Sequence, residues 1–164
     1  MAKGIKFLNL KIMQTNLLNY NLAEIQVSYR TTVKASERRK VTTSKDTESI
    51  FREIWSPSME FKEEFYIILL NRANKVLGWY KVSEGGMSGT VVDPKLVFSI
   101  ALKSMASAIL LSHNHPSGNL KPSNEDINLT KRLKEAGALL EIPVLDHLIL
   151  TSDGYYSFAD EGMM

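Results

Sequence analysis

Cysteine is absent from the 164 residues, which removes disulfides, thiolate metal ligands and cysteine nucleophiles together and suits a reducing compartment. Long apolar runs are absent too. The longest strongly apolar stretch, residues 65–70, is far shorter than the ~18 residues of a membrane span. The start MAKGIKFLNLKIM lacks the continuous apolar segment of a secretory signal. The chain therefore reads as cytoplasmic, without a membrane partner. Neither charge sign dominates, the formal net charge being +2. With 44% hydrophobic, 23% charged and 9% aromatic residues, the composition excludes disorder and fibrous repeats. The length suits one core and excludes two large domains. Histidine is scarce, with three in all, and any bound metal has to be held by histidine and carboxylate.

Charge is nonetheless uneven. Residues 1–62 hold 11 Lys/Arg against 6 Asp/Glu, a balance of +5, and residues 63–164 hold 9 against 12, a balance of −3. Much of the excess is Lys34, Arg38, Arg39 and Lys40, a stretch able to touch phosphates, although a run this short is more often a solvated loop. No aromatic residue interleaves it, which disfavours a single-strand stacking surface.

Residues 1–43 read as a polar, Asn-rich leader followed by a strand at 23–29, where Ile25, Val27 and Tyr29 alternate with polar neighbours. Residues 44–164 read as the main domain. A short amphipathic helix at 47–55 stops before Ser56-Pro57, because a residue preceding proline is pushed out of the helical region. A buried strand at 65–70, a turn at 71–75 and a strand at 76–82 form a hairpin. A glycine-bearing loop, 83–90, follows as a flap. Asp93-Pro94 starts a helix whose apolar stripe is Leu96, Val97, Ile100, Ala101 and Met105. A short strand at 108–112 and a helix at 123–136, ended by Gly137, lead to a closing hairpin of 144–150 and 155–158. Strands and helices interleaved in this way imply an α/β (α+β) fold, a mixed β-sheet flanked by helices.

The chemistry concentrates in Ser112-His113-Asn114-His115-Pro116-Ser117-Gly118-Asn119-Leu120-Lys121-Pro122-Ser123-Asn124-Glu125-Asp126. His113 and His115 are two apart at a strand end, so both rings project to one side and can share an ion. Asp126, in the first turn of the next helix, is placed to supply a carboxylate. Two imidazoles and one carboxylate leave a position for water, the open arrangement of a catalytic zinc site. Ser123-x-x-Asp126 also has the form of a plain helix cap, which needs no metal. The pair of features at this spacing favours metal. His147, on an apolar strand, reads as a buried or edge histidine held by a hydrogen bond, with a contact behind the metal or to substrate as the alternative.

His113-x-His115-Pro116-x6-Ser123-x2-Asp126 resembles the JAMM motif of the MPN/JAB metalloproteins, and HNHPSGNLKPSNED resembles their RadC branch, historically labelled DNA repair. The similarity continues through Glu64-Phe65, Gly89-Thr90, Asp146-His147 and the ending Tyr155-Tyr156-Ser157-Phe158, over roughly residues 60–162. The longer RadC proteins carry a helix-hairpin-helix region that this sequence does not match, so the resemblance is to a short form. It implies an MPN/JAB (cytidine-deaminase-like) architecture. It also implies Zn2+ on His113, His115 and Asp126, with Ser123 near the metal-bound water or tetrahedral intermediate. An upstream glutamate would be the general base; Glu64 is the matching position, with Glu63 and Glu84 as alternatives. The implied activity is zinc-dependent hydrolysis of a peptide or isopeptide bond in a peptide or protein substrate. The alternative is a nucleic-acid-associated accessory module with an inert metal pocket and a basic front half. Oligomeric state is left open.

Overall fold

The chain's architecture comes from a computed structural model that describes residues 26–85 and 91–164. In chain order the elements are α1 (Ser44–Ile54), β1 (Glu64–Leu70), β2 (Val76–Glu84), α2 (Pro94–Lys103), β3 (Ala108–Asn114), α3 (Asn124–Leu139), β4 (Val144–Leu150) and β5 (Tyr155–Ser157). The strands make one sheet in the order β2-β1-β3-β4-β5. β1 runs antiparallel to β2 and β3, β3 runs parallel to β4, and β4 runs antiparallel to β5. The sheet is therefore mixed and the fold α/β, as expected.

The central strands β1 and β3 are buried along their whole lengths, because each is covered on both faces. Phe65, Ile67, Leu69, Ile109 and Leu111 face α2 and α3, meeting Val97, Phe98, Ala101 and Leu133. Tyr66, Ile68, Leu70, Leu110 and Leu148 face α1, meeting Ile50 and Phe51. A capping box holds the start of α1: the Thr43 side chain accepts from the Asp46 amide, and the Asp46 carboxylate accepts from the Thr43 amide.

Some expected boundaries shift, each for a physical reason. Residues 26–29 of the expected first strand form no sheet, Tyr29 donating its hydroxyl to the Leu77 carbonyl instead, and the rest of that strand lies outside the described residues. On α2 the buried side chains are Val97, Phe98 and Ala101. Leu96 and Met105 are exposed, Met105 having left the helix with a positive φ of 55°. Gly137 does not end α3, which continues to Leu139; here glycine lets the helix approach the Ile142 backbone. A register shift on β3 between Ile109 and Leu110 leaves Leu145 of β4 exposed. The expected flap begins inside β2, and its residues 86–90 lie outside the described residues.

Candidate metal centre

β3 runs to Asn114, so His113 is its penultimate residue and its ring lies on the face shared by Ile109 and Leu111. His115 follows directly, its amide donating 2.9 Å to the Leu150 carbonyl, which extends the strand geometry one residue further. After the turn, the chain enters α3 through a capping box. The Ser123 hydroxyl accepts from the Asp126 amide at 3.1 Å, while Asp126 Oδ2 accepts from both the Ser123 amide and its hydroxyl at 2.7 Å. Asp126 thus belongs both to the cap and to the candidate metal group. Two hydrogen bonds pin Oδ2, and the carboxylate is held with Oδ1 towards His113.

His113 Nε2 lies 3.1 Å from Asp126 Oδ1, His115 Nε2 lies 3.5 Å from Asp126 Oδ2, and the two Nε2 atoms are 3.0 Å apart. One ligand atom from each of the three residues falls within 4.8 Å of the others, so the group can hold a metal ion. The chemistry of the donors fits one. The Asn119 carbonyl, 2.6 Å from His115 Nδ1, can only accept, so that nitrogen carries the ring proton and Nε2 is the donor atom facing the cluster. Electron pairs converging in this way require a proton or a cation between them. The charges respond to that convergence. Burial opposes the charge on Asp126, yet the adjacent His113 and His115 rings hold its carboxyl far below the ordinary range. The Asp126 carboxylate in turn raises the pKa of His115.

The cluster opens into a cleft of about 670 Å³, a size ordinary for a ligand site, whose lining includes Glu63, Phe65, Leu129 and Arg132. The three candidate glutamates part company here. Glu63 lines this cleft beside His115. Glu64, the sequence-favoured base, is turned to the opposite face of β1 and is 1% exposed. Its carboxylate accepts from Ser56 at 2.6 Å and from Tyr66 at 3.3 Å, and pairs with Lys81 at 3.0 Å. The reason is strand phase: Phe65 pairs with His113 and faces the cleft, so Glu63 shares that side and Glu64 does not. Glu84 is paired with Lys62 and Lys81, both at 2.6 Å, and those hydrogen bonds lower its pKa to about 2.

Residues 41–163 match the family described as RadC-like JAB domain. The chain belongs to that family. The chain is 46% identical over 125 residues to a UPF0758 protein of Flavobacterium johnsoniae, covering 76% of this chain and 54% of that protein. The chain is 40% identical over 146 residues to a UPF0758 protein of Porphyromonas gingivalis, covering 87% of this chain and 63% of that protein. A UPF0758 protein of Salinibacter ruber is 48% identical over 103 residues, covering 63% and 44%. The chain spans about half the length of these relatives.

Other residues of the JAB domain support the centre without having been singled out in the sequence. Asn114, between the two histidines, points to the far side of the sheet. Its Oδ1 accepts from the Glu64 amide at 2.7 Å, and its Nδ2 donates to the Met59 and Lys62 carbonyls at 2.6 and 2.7 Å. It straps the chain around Glu63 against the strand that carries His113. Thr130, one turn after Asp126, donates to the Asp126 carbonyl and meets the buried ring of His147. The i, i+4 spacing of Asp126 and Thr130 was the available signal for that helix face. The Ser123 hydroxyl donates to Asp126, and Ser123 also lines the cleft. In the basic stretch, Lys34 pairs with Glu37 and Arg39 with Glu53. That stretch meets the turn after β1, at the opposite end of the strand from the cluster, since Lys40 bridges to Lys75. Among the described residues, no helix is long and apolar enough to cross a membrane.

Proposed function

We propose that this JAB domain is a zinc-dependent hydrolase of amide bonds, peptide or isopeptide, with Glu63 as its general base. The observation that supports it is the convergence of His113, His115 and Asp126 at the floor of a cleft that Glu63 also lines. Two imidazoles and a carboxylate are a donor set suited to zinc, and three protein ligands leave one position open. When bound, zinc would supply an activated water and polarisation of the amide carbonyl.

The chain's own residues supply the rest. His113 and His115 present Nε2, and Asp126 presents Oδ1, its other oxygen being held by Ser123. Glu63 takes a proton from the attacking water and returns it to the departing amine, which completes hydrolysis with no net proton change. Phe65 and Leu129 line the cleft beside these groups and keep part of its wall dry, which strengthens the electrostatics between them. Arg132, also on the lining, adds a positive charge able to hold a carboxylate or carbonyl of the substrate.

The test is zinc-loaded protein incubated with a peptide library and with lysine-isopeptide substrates, read by mass spectrometry. Cleavage that chelation abolishes and added zinc restores is the expected result. Stoichiometric zinc with no cleavage of any amide substrate overturns the hydrolase reading and leaves an inert metal site.

A further inference from the structure

His147 on β4 is fully buried and none of the chemistry above uses it. Its ring nevertheless joins the two elements that carry the ligands. His147 Nε2 lies 2.8 Å from His113 Nδ1, His147 Nδ1 lies 2.7 Å from Thr130 Oγ1, and Thr130 Oγ1 lies 2.6 Å from the Asp126 carbonyl oxygen. The line runs from one ligand's ring to the backbone of another.

What each partner can do fixes the protons along this line. A carbonyl only accepts, so the single hydroxyl proton of Thr130 goes to Asp126, the back-bond that a threonine commonly makes within a helix. With that proton committed, the Thr130 oxygen can only accept, and His147 Nδ1 must carry the proton that reaches it. The His147 ring sits between Phe65 and Phe158, with ring centroids 5.4 and 5.0 Å away, and an apolar, fully buried site favours the neutral imidazole. A neutral ring with its proton on Nδ1 has a bare Nε2, which accepts from His113 Nδ1. His113 Nε2 is then the atom with a free electron pair, and it is the one that faces Asp126 Oδ1.

We propose that Thr130 and His147 are positioning residues that lock His113 in the tautomer needed to ligate metal through Nε2, setting β3 and α3 in register at the centre. The proposal rests on the metal reading above. It adds a direction: the proton order runs from His113 through His147 and Thr130 to the backbone of Asp126. An outer partner of this kind typically changes metal affinity 10–100-fold.

Two measurements test it. The first is the imidazole 15N shifts and long-range 1H–15N couplings of the metal-free chain at pH 8.5, which need neither zinc nor turnover. His147 is expected as the Nδ1–H tautomer; the Nε2–H tautomer overturns the proposal. The second is zinc affinity by chelator competition in Thr130→Val and Thr130→Ser. Val keeps the shape and loses the hydroxyl, and is expected to weaken zinc binding about 10-fold or more. Ser keeps the hydroxyl and loses a methyl, and is expected to stay within about threefold of the parent. A packing role alone predicts the reverse order, and that order overturns the proposal, as does native affinity in a folded Thr130→Val. If Thr130→Val does not fold, the tautomer measurement decides. A parent chain that binds no zinc refutes the metal reading while the His147 tautomer still reports on the relay. Tight zinc without hydrolysis counts only against the hydrolase.

Discussion

Glu63 and Glu64 are adjacent and chemically identical, yet they sit in opposite surroundings. Glu64 is buried with Ser56, Tyr66 and Lys81 on the α1 side of the sheet, whereas Glu63 borders the metal cleft. Glu63→Gln is expected to keep the fold and bind zinc within a few-fold of the parent, and to lower kcat by about 10²–10⁴, the usual contribution of a positioned base. Glu64→Gln is expected to do the opposite, keeping kcat within a few-fold while destabilising the chain by about 1–3 kcal/mol, because a charged hydrogen-bonding network is disrupted in a buried site. Stopped assays with the two zinc-loaded variants, paired with urea unfolding, check both; equal losses of kcat would remove Glu63 from the mechanism. The sequence favoured Glu64, with Glu63 and Glu84 as alternatives, and the strand's own residues gave no means of checking that choice. Phe65, Ile67 and Leu69 are as apolar as Tyr66, Ile68 and Leu70, so a strand buried on both faces carries no alternation from which to read its phase. The phase is fixed by pairing with β3 and by the strap from Asn114, contacts about 50 residues away in sequence.

At the level of elements, the His113, His115 and Asp126 cluster was legible because its members belong to one strand-loop-helix unit, β3 to α3, whose local chemistry is written in order: His-x-His, a turn, a cap, an acidic first turn. The cap reading and the metal reading, which competed in the sequence, are compatible: Asp126 closes the cap with Ser123 through Oδ2 and still turns Oδ1 towards His113. Ser123→Ala is therefore expected to carry two costs: about 1 kcal/mol of stability from the lost cap, and weaker zinc binding by about 10-fold from a carboxylate less firmly held. Thermal unfolding without metal and chelator competition separate the two. The far end of α3 was less legible. Glycine commonly marks a helix end, but Gly137 lies within α3 because a Cβ there would sit 2.5 Å from the Ile142 carbonyl oxygen, and the Ile142 amide donates back to the Gly137 carbonyl at 2.8 Å. Alanine is the better helix former by about 1 kcal/mol. Gly137→Ala is nevertheless expected to destabilise by about 1–3 kcal/mol, since the clash is with backbone and cannot be relieved by a rotamer change. A neutral or stabilising result in urea unfolding would show that the α3–β4 connection yields more easily than its geometry implies.

For the whole molecule, the centre is a junction. β3 brings His113, the strand's continuation brings His115, α3 brings Asp126 and Thr130, β4 brings His147, and the chain entering β1 brings Glu63. The sheet order places β1 and β4 on either side of β3, so these contributions meet although they span more than 80 residues of sequence. An ion bound there is bound by the folded state alone, because the unfolded chain keeps at most the short His-x-His pair together. Binding should therefore appear as stability. With free zinc at about 100 times its Kd, the folded state gains about 2.7 kcal/mol. In a domain of this size each kcal/mol moves Tm by about 2–4 °C, so zinc is expected to raise Tm by about 5–10 °C, reversibly with chelator. His113→Ala and Asp126→Ala should each remove most of that rise, while Glu63→Gln should retain it, because Glu63 lines the cleft but is not one of the three residues placed to hold the ion. Calorimetry of the four proteins with and without zinc reads all of this in one experiment. A rise that survives in both ligand variants would mean that zinc binds elsewhere on the chain and that the convergence of the three side chains serves only to cap α3.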